Sequence, residues 1–162
     1  MRFTRTQLLV AAATLLSGVL AGGIIDRVIV GGPAWRELGA VSWAQFSRQA
    51  DLGTGLVAYP AEGIGATLLI LAATLRNYFD RNGRRGVTLP LYFGAAFSIA
   101  GLILTVKAAP IMLSLASLKN GTEIEHAFDE FFVWGLYLRG FMDTLAFIAL
   151  VWALSNLHRR TG

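Results

Sequence analysis

Cysteine is absent from the 162 residues of this chain. That excludes a disulfide framework, a thiolate nucleophile, a thiolate-held cluster and a redox dithiol, so any redox work needs a bound cofactor or direct reaction with oxygen. Histidine is almost as scarce, with His126 and His158 alone. Glu123-x-x-His126 has the helical carboxylate and histidine spacing of di-iron bundles, but that architecture takes two such motifs with further carboxylates, and one is present. No metal and no cofactor are expected. A phosphate-cradling loop, a catalytic serine motif and a nucleic-acid module are also missing. Gly63-Ile-Gly65 lies in an apolar run without the flanking strand a dinucleotide site requires. Charge is sparse, at 15% of residues.

What fills the chain is hydrocarbon: 55% of residues are hydrophobic and the mean hydropathy is +0.58. These values describe an all-α integral membrane protein of one domain, residues 1–162, rather than a soluble one. Four runs, about 8–30, 56–75, 89–109 and 134–157, each approach the roughly 20 residues that cross about 30 Å of hydrocarbon. The net charge of +4 would suggest nucleic acid in a soluble protein, but here it is a topology signal. Arg2 and Arg5, then Arg76, Arg81, Arg84 and Arg85, then Arg159 and Arg160 share one side, eight of the fourteen Lys and Arg. The other side carries Glu37, Asp51, Glu123, Glu125, Asp129 and Glu130. The positive-inside rule places both termini in the cytoplasm of a bacterial inner membrane, with outer loops at 31–55 and 110–133. A competing reading takes the first run as a signal peptide cut near Val19-Leu-Ala21. The apolar pattern resumes at Ile24 and runs to Val30, which favours a retained helix.

The outer loops have their own signals. Gly31-Gly-Pro33 predicts a turn. Beyond it, 41–50 reads as a short helix bearing Trp43 and Phe46, suited to the membrane interface and able to act as a lid. Thr122-Glu-Ile-Glu125 has capping-box spacing, so a helix should start there. Gly135 and Gly140 are bend points if that helix continues to Leu157.

Six ionisable residues interrupt the apolar runs: Asp26, Arg27, Glu62, Lys107, Arg139 and Asp143. At 1.5 Å per residue from the cytoplasmic ends, Asp26, Lys107 and Arg139 come out about 27 Å up, Asp143 about 21 Å and Glu62 about 20 Å. Charge in hydrocarbon is costly and normally faces a bundle interior, a partner or water, so this layer is the candidate site. Gly18, Gly22 and Asp26 recur every four residues, which predicts an inward stripe of small residues beneath a carboxylate. Asp51, Gly55, Tyr59 and Glu62 share a stripe on the second span, and Arg139 with Asp143 is an i, i+4 pair. The expected result is a charged pocket opening outward, with Tyr59, Asp143, Trp35, Trp43 and Trp134 as ligand-binding residues. A plainer alternative has the ion pairs only fixing helix register and the tryptophans anchoring at the interface. Glu62, without a partner in its own helix, is the first candidate for an acid or base, and Asp26 the second.

Three stretches carry a family resemblance: Ser17-Gly18-Val-Leu-Ala21-Gly22-Gly23, Gly32-Pro33-Ala34-Trp35 and Trp134-Gly-Leu-Tyr-Leu-Arg139. With them the chain resembles a small four-helix integral membrane family of unknown function associated with anthrone oxygenases. The resemblance covers most of the chain in layout, although Asp26-Arg27 and longer outer loops depart from it. It implies a cofactor-free oxidation in which Glu62 or Asp26 removes a proton, oxygen reacts with the carbanion, and Arg139 and Lys107 stabilise the anion. Non-catalytic alternatives stand beside it: a lipid or quinone binder, a small carrier, or an accessory subunit. The expected partners are membrane lipid and a small hydrophobic or amphipathic ligand, with homo-oligomers open and nucleic acid excluded.

Overall fold

Four helical rods make up the protein, and their caps and breaks follow from a few residues. The structure is a computed structural model and describes residues 4–80 and 85–158. Arg2, Arg81, Arg84, Arg159 and Arg160, which carry much of the topology signal, lie outside them. Helix α1 (Arg5–Asp26) opens on a capping box. Thr4 Oγ1 accepts from Gln7 N at 3.2 Å, and the Gln7 side chain accepts from Thr4 N at 2.8 Å, which satisfies two of the orphan donors of a helix start.

The first rod does not turn at Gly31-Gly-Pro33. It passes through a π-helical segment, Arg27–Gly31, into α2 (Gly32–Leu38). Pro33 stands at the start of α2 directly after the π-helical segment, and lacking an N–H it can make no backbone bond to the turn before it. The reversal comes instead at Gly39, whose φ of 85° suits a residue without Cβ. Helix α3 (Ala40–Gln49) then runs through a second π-helical segment, Ala50–Thr54, into α4 (Gly55–Phe79). Gly53, at φ −86° and ψ −118°, kinks that junction. The expected outer loop is therefore mostly helix.

Helix α5 (Arg85–Ser114) is followed by α6 (Gly121–Phe131), a third π-helical segment, Phe132–Leu138, and α7 (Arg139–His158). The fourth rod starts beside the expected place with a different cap. Asn120, not Thr122, holds the N-cap and accepts from Thr122 N at 3.1 Å. Gly135 lies inside the third π-helical segment, as a bend point would.

Four stretches, Arg5–Leu38, Ala40–Phe79, Gly86–Ser114 and Gly121–Leu157, are long and apolar enough to cross a membrane. Around the bundle α1 touches α4 and α7, and α5 touches α4 and α7. Each helix also turns apolar side chains outward: Leu15 is 73% exposed, Leu68 61%, Ile103 65% and Ile148 56%. A soluble bundle shows polar residues there, so this belt suits hydrocarbon.

Inside, two larger apolar cores are stacked, and a third, small cluster joins Leu20 and Ile24 of α1 to Ala66 of α4. The lower joins Val10 and Ala13 of α1, Ile70 and Ala73 of α4, Val87 and Leu91 of α5, and Leu150 and Ala153 of α7. The upper is built by α3, α6 and the end of α5 around Trp43, Leu115, Phe128, Phe131 and Phe132. Threonine hydroxyls inside the bundle bond back to their own helix, Thr14 to Val10 O at 2.7 Å and Thr74 to Ile70 O at 2.8 Å. That lets them sit among apolar neighbours without an orphaned group.

Candidate functional site

Between the two cores lies a polar level, and the three π-helical segments border it. Arg27 is the first residue of one, Asp51 belongs to the second, and Arg139 directly follows the third. An extra residue in a helical turn re-aims the side chains around it, which is why such turns recur at functional sites.

The first cluster forms around Arg27. Its Nη2 donates to Asp51 Oδ1 at 2.7 Å and also to the hydroxyl of Tyr59. The guanidinium lies over the Tyr59 ring, 4.6 Å from its centroid, and 6.0 Å from that of Trp35. The Arg27 side chain is 23% exposed and that of Asp51 3%. A desolvated carboxylate is tolerable only with such a charged donor. The first two rods are thereby fastened above the lower core. Glu62, one turn beyond Tyr59, is half-buried, interacts electrostatically with it, and makes no hydrogen bond or ion pair among the described residues.

The second cluster is the expected i, i+4 pair. Arg139 Nε lies 3.5 Å from Asp143 Oδ2, with side chains 19% and 8% exposed. It reaches two further helices through glycines. A Cβ on Gly101 of α5 would stand 2.6 Å from Asp143 Oδ1, and one on Gly63 of α4 would stand 3.8 Å from Arg139 Nη2. Below them Thr67 and Ser98 share a buried hydrogen bond of 2.6 Å between α4 and α5.

Two residues expected in this layer stand outside it. Asp26 is exposed and has no hydrogen bond or ion pair among the described residues. Successive helix positions lie about 100° apart, so Arg27 can face in while Asp26 faces out. Gly22 is exposed with it, and neither Gly22 nor Gly23 would place a Cβ within 4 Å of another group, so the glycine stripe does not lead inward. Only Gly18 is close to a neighbour, Phe147, at 3.0 Å. Lys107 is also exposed, its ammonium 4.9 Å from the Trp134 ring centroid, and makes no ion pair or hydrogen bond with Glu62 among the described residues.

The tryptophans divide. Trp35 is half-buried and near Arg27, with its ring 5.7 Å from Phe46. Trp134 is half-buried under Lys107. Trp43 is neither an interface anchor nor accessible to a ligand. It is 0% exposed, edge-on to Phe128 at 5.2 Å and tilted against Phe131 at 5.7 Å. The 41–50 helix bearing it packs its Trp43 face into the upper core while Val41 and Phe46 stay exposed, because α6 supplies an aromatic face that no apolar span count reveals. Arg48 ties the same helix to the turn that follows α5, through Leu115 O at 2.7 Å and Leu118 O at 2.6 Å. His126 is exposed and faces Glu130 at 3.8 Å rather than Glu123.

Asp51 is the residue that sequence reasoning placed in a loop. Its stripe with Tyr59 was the available signal. Two hollows, of about 260 and 490 Å3, open near Ser114, Glu123 and His126 and near Arg48, Lys119 and Ile124. Both lie beside the upper core, and neither is lined by Arg27, Tyr59, Glu62 or Arg139. No family model, curated protein or solved structure matches the chain.

Proposed function

We propose that the protein is an integral membrane four-helix bundle, both termini cytoplasmic, that binds a small amphipathic or aromatic molecule at the outer boundary of the bilayer. The binding groups are Arg27, Trp35, Tyr59, Glu62 and Arg139. The observation that carries this reading is the placing of two ion pairs between the two larger apolar cores, Arg27 with Asp51 from the first and second π-helical segments and Arg139 with Asp143 from α7. Polar groups at such a level are expensive, and they commonly mark a ligand or ion site. Arg139 keeps donors beyond its 3.5 Å contact with Asp143, and Glu62 has no donor among the described residues. An amphiphile with an anionic or carbonyl oxygen for Arg139, a hydroxyl for Glu62 and a flat apolar body against Tyr59 and Trp35 satisfies both.

Binding is favoured over oxidation. Of the groups the anthrone-oxygenase resemblance implies, Asp26 and Lys107 are exposed, and neither shares an ion pair or hydrogen bond with Glu62 or Arg139 among the described residues. Native mass spectrometry of the protein released from lipid nanodiscs tests the reading. A retained mass of a few hundred daltons, lost in Arg139→Gln with the fold intact, is expected. Wild-type protein that emerges without any such adduct contradicts it.

A further inference from the structure

The larger of the two hollows beside the upper core carries charge of one sign. It measures about 490 Å3, within the roughly 300–1,000 Å3 of small-molecule sites. Arg48 and Lys119 line it, and no carboxylate does. Neither cation makes an ion pair among the described residues. Apolar side chains make up most of the remaining wall: Val41 of α3, Ala116 and Leu118 of the segment after α5, and Ile124 of α6.

Arg48 is held in place by the protein itself. Its Nε and Nη2 donate to Leu115 O and Leu118 O, and the side chain is half-buried. A guanidinium has five N–H donors in a rigid fork. Those two bonds leave three, both on Nη1 and one on Nη2, with no acceptor among the described residues. Two adjacent nitrogens with free N–H groups can take two oxygens of a phosphate or carboxylate side by side. The two carbonyls carry only partial charge, so Arg48 remains a net cation facing the same space as Lys119. A cleft lined by one sign of charge concentrates ions of the other.

The walls indicate what bears the anion. A free ion gains nothing from Val41, Leu118 and Ile124, whereas an apolar body is drawn out of water by each. Val41 is also 51% exposed, so an acyl chain can leave the hollow over it onto the outer surface of the bundle. A zwitterionic head would bring an ammonium for which the hollow has no carboxylate.

We propose that this hollow binds the anionic head group of an amphiphile, of the phosphate class that acidic phospholipids carry. Arg48 is the two-pronged anchor, Lys119 the second cation, and Val41, Leu118 and Ile124 meet the apolar part. The site shares no residue with the ligand reading above and does not rest on it.

The test uses the full chain, delipidated in dodecyl maltoside and titrated separately with phosphatidylglycerol, phosphatidylcholine and sodium phosphate, with bound molecules counted by native mass spectrometry. Phosphatidylglycerol is expected to bind at least about tenfold more tightly than phosphatidylcholine. Lys119 is exposed and makes no hydrogen bond or ion pair among the described residues, so Lys119→Gln should fold and weaken binding about fivefold. Arg48→Gln should weaken it further, and Lys119→Gln decides the matter if that chain fails to fold. Arg36→Gln, exposed and outside the hollow, should leave it unchanged. Saturation by sodium phosphate alone, weakened in Lys119→Gln, supports the anion site and assigns it to the free ion instead of the lipid. Phosphatidylglycerol held no better than phosphatidylcholine, with no phosphate bound, overturns the proposal. So does wild-type affinity for both anions in folded Lys119→Gln.

Discussion

Removing the carboxylate of Asp51 should destabilise the protein more than removing both members of its ion pair. In Asp51→Ala the Arg27 guanidinium, 23% exposed, loses its anion at a level with little water. Deleting one partner of a buried pair costs about 3–5 kcal/mol. Arg27 is partly exposed, so solvent takes up some of that cost, while its places over Tyr59 and Trp35 are common to both proteins and cancel in the difference. The expected net loss is about 2–3 kcal/mol. In Arg27→Leu with Asp51→Ala no orphaned charge remains, so the double variant should be more stable than Asp51→Ala alone, with a coupling of at least about 1.5 kcal/mol. Unfolding titrations with sodium dodecyl sulfate in mixed micelles, followed by circular dichroism, provide the four free energies. Losses that add to within about 0.5 kcal/mol would refute the idea that these residues act as a pair.

Other substitutions separate the inward groups from the outward ones. Asp26→Asn, which removes an exposed carboxylate with no partner, should change stability by less than about 0.5 kcal/mol in the same titration. Gly101→Ala forces Asp143 away from α5 and should cost about 1–3 kcal/mol, whereas Gly22→Ala, with nothing within 4 Å, should cost nothing measurable. Replacing Gly140 with alanine drives a methyl into Ile24 of α1; a comparable loss is expected, and unchanged unfolding would show that α1 and α7 do not meet there. If Trp43 were an interface anchor, Trp43→Ala would be mild; buried as it is, the loss should be about 3–5 kcal/mol.

The four rods were legible because an apolar run of spanning length has few other structural outcomes, and the Arg139 and Asp143 pair followed from helical period alone. The link from Arg27 to Asp51 and Tyr59 was not. It depends on where the first two rods reverse, and Gly31-Gly-Pro33 resembles a turn more strongly than the single Gly39 that makes it. With the turn moved, Asp51 leaves the loop and joins a helix facing α1. Depth along a span also says nothing about direction around it, so Asp26 and Lys107 shared a height with Arg139 without sharing its surroundings. The upper core was hidden for a related reason: Trp43 and Phe128 come from segments too short or too polar to register as spans, and they meet Phe131, Phe132 and Leu115 only once the chain has folded.

The absence of native cysteine makes one measurement direct. Single cysteines introduced as Asp80→Cys, Gly121→Cys, Leu68→Cys and Ile148→Cys can be labelled in intact cells with a membrane-impermeant maleimide, before and after permeabilisation. A bundle that crosses the bilayer with its polar level outward predicts labelling at position 121 from outside, at position 80 only after permeabilisation, and at positions 68 and 148 in neither case. Labelling of 80 and 121 from the same side, or ready labelling of 68 and 148, would contradict it.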